Sequence, residues 1–198
     1  MMPIVTYTLR SDVNTHEWLS LPPDPRETII ERTESLIGQF CGRPVTRPFV
    51  YPILGRNPAE VPRPVGDMPA SMPGVILFSE RAAKVLGALI GHCGEFLPME
   101  WEEGWLVAFN VCPLVDAIDF DRCKANPKPS DDCWLPRMCP DLAFRQDVIA
   151  RTPIFKVPQY TGTPFVTEVF KQHWEGAGLE GAKFERVWPW PPDLMRFW

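Results

Sequence analysis

The stretch VILFSERAAKVLGALIG, residues 75–91, reads as a strand that passes directly into a helix. Val75 to Phe78 is an unbroken apolar run of strand type. Ser79 can accept a hydrogen bond from the first helical turn, and Glu80 places a negative charge at the positive end of the helix dipole. Behind them Ala82, Val85, Leu86, Leu89 and Ile90 recur at helical spacing, and Gly91 closes the stripe they form.

Working downstream, Phe96 to Trp101 reads as a strand with Pro98 at an edge or bulge. Trp105 to Val111 (WLVAFNV) is the strongest strand in the chain and is expected to be central. Val115, Ile118 and Phe120 continue as a turn or short helix around Asp116 and Asp119, and residues 124–140 form a polar, proline-rich loop. Leu142 to Val148 makes a short helix or strand, and Ile154 to Val157 a strand. Phe165, Val166 and Thr167 then lead into a second helix with Phe170 and Trp174 on one face, stopped near Gly176 or Gly178. Phe184 to Trp188 is a closing strand, and the aromatic tail to Trp198 is expected to dock on the body.

Two of these parts match at an offset of 88 residues. Phe78-Ser79-Glu80 stands against Val166-Thr167-Glu168, Leu86 against Trp174, and Phe96 against Phe184. Each reads strand, capped helix, loop, strand. A hydroxyl cap with a carboxylate in the first turn is worth about 1 kcal/mol for helix initiation.

Upstream, Ile4 to Leu9 is a short strand rich in β-branched residues. Asp24 as cap, Pro25 at the first helical position and Glu27 three residues after the cap start a helix. Ile29, Ile30, Thr33, Leu36, Ile37 and Phe40 carry it, and Gly38 or Gly42 ends it. Eight of the chain's 24 prolines fall between Pro44 and Pro73, where no helix survives. Phe49, Val50, Tyr51, Ile53 and Leu54 make that stretch a docked connector rather than a free linker. The fold predicted is α+β: one compact domain built on two pseudo-repeated strand–helix–strand units, with an N-terminal helical extension. Residues 1–43 are the strand and helix of the extension, and residues 44–198 the α+β domain, folded with it as one unit.

Composition agrees with a single folded domain. The chain has 198 residues, 45% hydrophobic and 23% charged, and eight tryptophans, which exclude wholesale disorder. No window is apolar enough for a membrane span, and the N-terminus MMPIVTYTLRSD lacks the pattern of a signal peptide. Both point to the cytoplasm. The six cysteines are therefore expected as reduced thiols; Cys123, Cys133 and Cys139 have no histidine at a zinc-finger spacing.

The net charge of −5 is concentrated. From Glu95 to Asp121 there are seven acids (Glu95, Glu100, Glu102, Glu103, Asp116, Asp119, Asp121) and no Lys or Arg. A nucleic-acid binder would carry the opposite sign. Such a stretch is either a solvated acidic face or a surface that steers a basic partner.

No glycine-rich phosphate loop, GxSxG or HExxH motif is present. Ser79-Glu80 is a cap rather than a nucleophile and base, since neighbours at a helix start do not face each other. Asp116 and Asp119 could pair as catalytic carboxylates or hold a metal, but turn and cap roles suit them better. His16, His92 and His173 are scattered. No catalytic residue, metal or cofactor is assigned. The segment Glu100-Trp101-Glu102-Glu103-Gly104-Trp105 is a hairpin turn with three acids and two tryptophans. It serves either as a hot spot with a charged rim or as a turn whose tryptophans pack inward. The candidate partner-binding residues are Glu100, Trp101, Glu102, Glu103, Trp105, Asp116 and Asp119.

A family resemblance adds to this. Gly66-Asp67-Met68-Pro69 is followed by Val75 to Glu80, Glu95-Phe96-Leu97-Pro98, Phe109-Asn110-Val111 and Val115-Asp116-Ala117-Ile118-Asp119. Ile154-Phe155-Lys156, Val166-Thr167-Glu168, Gly178-Leu179-Glu180-Gly181 and Phe184 complete the order. Over about residues 44–188 this resembles the immunity-protein domain typified by a myxobacterial protein and otherwise filed as a domain of unknown function. Thr167 and Cys123 stand where that family often has Ser. The family accompanies bacterial polymorphic toxin systems and defines no catalytic residues. The resemblance implies a non-enzymatic protein that binds a cognate toxin domain and neutralises it stoichiometrically; a basic nuclease would suit the acidic stretch. An adaptor or chaperone for a secreted effector, or an enzyme using Asp116, Asp119 and a histidine, are the alternatives. Neither nucleic acid nor membrane is implied as a partner, and the oligomeric state is not fixed.

Overall fold

In a computed structural model, residues 3–21, 38–45, 53–56, 61–72, 74–123 and 142–189 are described. The strands are β1 (Thr6–Ser11), β2 (Leu19–Ser20), β3 (Gly55–Arg56), β4 (Ile76–Phe78), β5 (Gly94–Trp101), β6 (Gly104–Val111), β7 (Ile154–Val157), β8 (Tyr160–Thr167) and β9 (Ala182–Trp188). The helices are α1 (Glu80–Ile90), α2 (Gln146–Ile149) and α3 (Glu168–Gly176), with 3₁₀ turns at Gly91–Cys93 and Phe120–Arg122. Among the described residues, no helix is long and apolar enough to cross a membrane.

The quoted stretch folds as its pattern predicts. β4 leads into α1 through Ser79, whose hydroxyl accepts from the Ala82 N–H at 3.0 Å. Ala82, Leu86 and Ile90 face the core and Gly91 is the C-cap. The sharper glycine requirement is at Gly94, where a Cβ would lie 2.1 Å from the Asn110 carbonyl oxygen.

β6 is central, as its sequence predicts, in an antiparallel sheet of order β4-β6-β5. β4 and the second half of β6 are covered on both faces and read as continuous apolar runs, whereas β5 alternates toward the turn, with Pro98 and Glu100 exposed. Leu77, Leu97, Met99, Trp101, Leu106 and Ala108 belong to one core, with Leu19, Phe40 and Leu54. Ile76, Phe78, Phe109 and Val111 belong to another, with Leu86 of α1 and Phe170 and Trp174 of α3. A second antiparallel sheet has the order β7-β8-β1-β9. A third core, with Ile118, Phe144, Phe155, Phe165 and Trp188, joins it to the segment around Ala117. The two-residue strands β2 and β3 pair with each other, and a bridge from Leu54 to Trp101 fastens them beside β5.

The protein is therefore α+β, with strand–helix–strand units at β4-α1-β5 and β8-α3-β9. The capping chemistry that makes the two units look alike in sequence holds at one of them. Thr167 makes no side-chain cap bond; its hydroxyl lies 3.5 Å from the Pro153 carbonyl. The N–H of Glu168 is met instead by the Val5 carbonyl at 3.0 Å. β1, from the N-terminal piece, is thus an inner strand that also closes the start of α3. Of the expected helix before Gly42, residues 22–37 lie outside the described residues; Gly38 and Gln39 are helical, whereas Phe40 is a turn and Cys41 a bend. The loop over 124–140 and the tail beyond Pro189 lie outside the described residues. Within the connector, Leu54, Met68, Ala70 and Met72 are buried, while Ile53 and Val61 are exposed. The expectation of six reduced thiols is corrected at Cys41, which is disulfide-bonded; Cys93, Cys112 and Cys123 are free.

Candidate partner-binding surface

β5 and β6 pair without a break from Gly94↔Val111 to Trp101↔Gly104, so Glu102 and Glu103 form a two-residue turn. Gly104, with φ of 150°, takes a conformation that favours glycine where the chain re-enters the ladder. This register decides the fate of the two tryptophans. Trp101 is 9% exposed and packs in the core with Leu97, Met99 and Leu106. Trp105 stands opposite Glu100 on the other face of the hairpin and is 57% exposed.

The acids divide in the same way. Glu103 holds Arg56 through two hydrogen bonds, from Nε at 2.9 Å and Nη2 at 3.2 Å. The guanidinium keeps the Glu103 carboxyl below its usual range. Glu102 accepts from the Arg56 backbone N–H at 3.3 Å and donates its own N–H to the Leu54 carbonyl at 3.0 Å. Arg56 also pairs with the buried carboxylate of Glu17 and lies 5.5 Å from the centre of the Trp101 ring. Glu17 accepts in addition from the Arg63 N–H at 2.8 Å. Glu102 and Glu103 therefore anchor the hairpin to β3, and their charge is largely answered within the molecule.

Asp116 and Asp119 lie on another part of the structure. They border the segment Ala117–Ile118, which packs into the third core and meets Phe144 in an isolated bridge. Asp116 is exposed and pairs with Arg145 at 3.3 Å; Asp119 reaches Arg122 at 4.0 Å. Glu95 is turned to internal work, accepting from the Val45 N–H at 2.9 Å and from Asn110 Nδ2 at 3.3 Å. Among the described residues, Glu100 and Asp121 are the acids of this stretch whose carboxylates have no hydrogen-bond or ion-pair partner. Glu100 and Trp105 thus form the exposed pair that the hairpin offers to solvent.

The histidines are held in three separate places. His92 Nε2 meets the Arg151 carbonyl at 3.2 Å, and His173 Nδ1 the Val169 carbonyl at 2.9 Å. His16 Nδ1 shares a hydrogen bond with Thr15 Oγ1 at 2.8 Å. None is joined to Asp116 or Asp119.

Two polar positions in the family-like motifs, Asp67 and Lys156, form buried hubs that the sequence does not announce. Asp67 accepts from Ser79 Oγ at 2.6 Å, Arg81 Nη1 at 3.1 Å and the Glu180 N–H at 3.1 Å. It so ties the cap of α1 to the loop between α3 and β9. Gly181, with φ of 95°, lies where a Cβ would come within 3.1 Å of the Met68 carbonyl oxygen. Lys156 is fully buried, and its ammonium donates to the carbonyls of Phe40 at 2.7 Å and Gly74 at 2.9 Å. Burial without a carboxylate partner pushes its pKa down to about 7. The signal for Asp67 was its place just before a capped helix; the partners of Lys156 and Arg56 are too distant in sequence to be read.

Comparison with known proteins adds one finding. The profile of an immunity protein family (Imm11) matches residues 16–188, and so begins inside the N-terminal piece. No curated protein matches the chain.

Proposed function

Because the chain belongs to the Imm11 immunity protein family, we propose that it binds a cognate bacterial toxin effector domain and neutralises it by stoichiometric contact. The family match over residues 16–188 carries this reading. It acts as a binding protein rather than a catalyst, within a polymorphic toxin system and in the cytoplasm where the toxin would otherwise act. In the same reading residues 1–198 fold as one unit, and the two strand–helix–strand units derive from a duplication.

The exposed Trp105 beside the unpaired carboxylate of Glu100 supports this end of the hairpin as a contact for a basic toxin such as a nuclease. An aromatic anchor with a charge at its edge is the usual composition of an energetic hot spot, worth about 2 kcal/mol or more. The test is co-expression with the toxin domain encoded in the neighbouring reading frame. Wild-type chain is expected to restore growth and to co-purify one to one. Trp105→Ala should weaken binding by roughly 30-fold or more while moving stability by less than about 0.5 kcal/mol, because the ring is largely in water. Glu100→Lys should slow association and flatten its dependence on salt. Failure of the wild-type chain to restore growth overturns the immunity reading. Unchanged binding by both variants removes the hairpin from the interface.

A further inference from the structure

β1 and β8 pair at Thr6↔Thr167, Tyr7↔Val166 and Thr8↔Phe165. The same register continued would match Leu9 with Pro164, Arg10 with Thr163 and Ser11 with Gly162, but the ladder stops at Thr8. Pro164 has no N–H to give. The pairing of β8 with β7 also shifts register between Phe155 and Val157, beside this part of β8. β1 meanwhile keeps its ladder with β9 as far as Ser11↔Ala182. The strands therefore part, and all six of these residues line a cavity of about 290 Å³.

Residues 68, 70–72 and 74–76 also line the cavity, where the strands separate. At Gly74 a Cβ would come within 3.3 Å of the Gly162 Cα, so glycine there lets the two backbones sit close. Trp18, 43% exposed, and Val13, 40% exposed, line the same cavity. Ser71 is 8% exposed, and its hydroxyl has no hydrogen-bond partner. A buried hydroxyl left unsatisfied carries a desolvation penalty, which a ligand offering a donor or acceptor relieves. Arg10 lines the cavity with a half-exposed side chain, and its ion pair with Glu185 is long, at 3.9 Å.

We propose that this cleft receives an extended segment of the toxin. The segment's backbone pairs with the parted edges of β1 and β8 and offers Ser71 Oγ a partner, and its apolar side chain enters the cavity beside Trp18. A carboxylate on the neighbouring residue of the segment meets Arg10. Strand addition of this kind takes affinity from main-chain hydrogen bonds and specificity from the side-chain pocket. The proposal rests on the immunity reading for the identity of the partner, but its test does not use the toxin.

The ¹⁵N-labelled full chain is titrated with the capped dipeptide N-acetyl-Leu-Asp-amide, which carries the side chain, the carboxylate and the flanking peptide groups. Saturable shifts are expected at the amides of Leu9, Arg10, Ser11, Gly162 and Thr163, with an affinity on the order of millimolar for so small a fragment. N-acetyl-Gly-Asp-amide should bind at least about tenfold more weakly, and Trp18→Ala and Arg10→Ala should each weaken the leucine probe several-fold in a chain whose remaining spectrum is unchanged. Absence of saturable shifts at those amides, or equal response to the glycine probe, or indifference to Trp18→Ala, overturns the cleft. A chain that takes up the dipeptide but does not restore growth loses the immunity reading and keeps the site; one that restores growth but ignores the dipeptide loses the site alone.

Discussion

Lys156 shows how one residue can be plain in sequence and opaque in role. Its run, Ile154-Phe155-Lys156-Val157, reads as a strand with a charged interruption, which suggests one face toward water. In the structure all four residues are buried, and the ammonium crosses to carbonyls of Phe40 and Gly74. The folded protein therefore favours the neutral amine, with a pKa of about 7 against the ordinary 10.5. Between those values the unfolded chain holds a proton that the folded chain has released, so this residue makes stability rise with pH across that window. Below pH 7 both states are protonated and the contribution is gone. The thiols of Cys93, Cys112 and the partly buried Cys123, pushed up chiefly by desolvation, act in the opposite direction above their ordinary 9.0. Urea unfolding of wild type and Lys156→Met is therefore compared between pH 6.5 and 8.5, where the wild type should gain stability relative to the variant, by at most about 1.4 kcal/mol per pH unit. Parallel curves would show that Lys156 keeps its proton in the fold across this window.

At the scale of elements, the two helix starts provide a direct contrast. Ser79 both receives the Ala82 N–H and donates to Asp67, so its hydroxyl belongs to α1 and to the Asp67 hub at once. Ser79→Ala is expected to cost about 1–2 kcal/mol. Thr167→Ala should cost clearly less, because the Val5 carbonyl already serves the first turn of α3. Denaturant midpoints for the two variants measure this; equal losses would mean that the Thr167 hydroxyl caps after all. The same contrast explains what could be read in advance. α1 was legible because cap, charge and apolar period lie within one short stretch, β4 and β6 because strands buried on both faces leave apolar runs, and β5 because Leu97, Met99 and Trp101 alternate with exposed residues. β2 and β3 were not legible, since two-residue strands carry no period and depend on the distant bridges Trp18↔Ala70 and Leu54↔Trp101. For the hairpin, residue types were visible but their direction was not. A slip of one residue would exchange the places of Trp101 and Trp105, and only the Trp101↔Gly104 register puts Trp105 outside.

For the whole molecule, the open question in the sequence was what the N-terminal piece does. The resemblance covers the chain from about residue 44, whereas the family match begins at 16. The structure goes further back, because β1 occupies the interior of the four-stranded sheet from Thr6 to Ser11. Among the described residues, β1 is the one strand on which β9 pairs. Val5, just before it, supplies its carbonyl to α3, and the Tyr7 hydroxyl of β1 donates to the Glu168 carboxylate. Thr6, Thr8 and Leu9 are buried in this position. A strand in the middle of a sheet joins two sets of partners, so removing it exposes two ladders at once, and the surrounding cores lose one wall. A chain lacking residues 1–12 is accordingly expected to lose cooperative unfolding, with collapse of amide dispersion throughout β8, α3 and β9 rather than at the terminus alone. A synthetic peptide of residues 1–13 added in excess should restore part of that dispersion, since β1 is continuous and its partners await only one strand. A truncated chain that unfolds cooperatively at the wild-type midpoint would make β1 an appendage, and the division at residue 43 a true domain boundary.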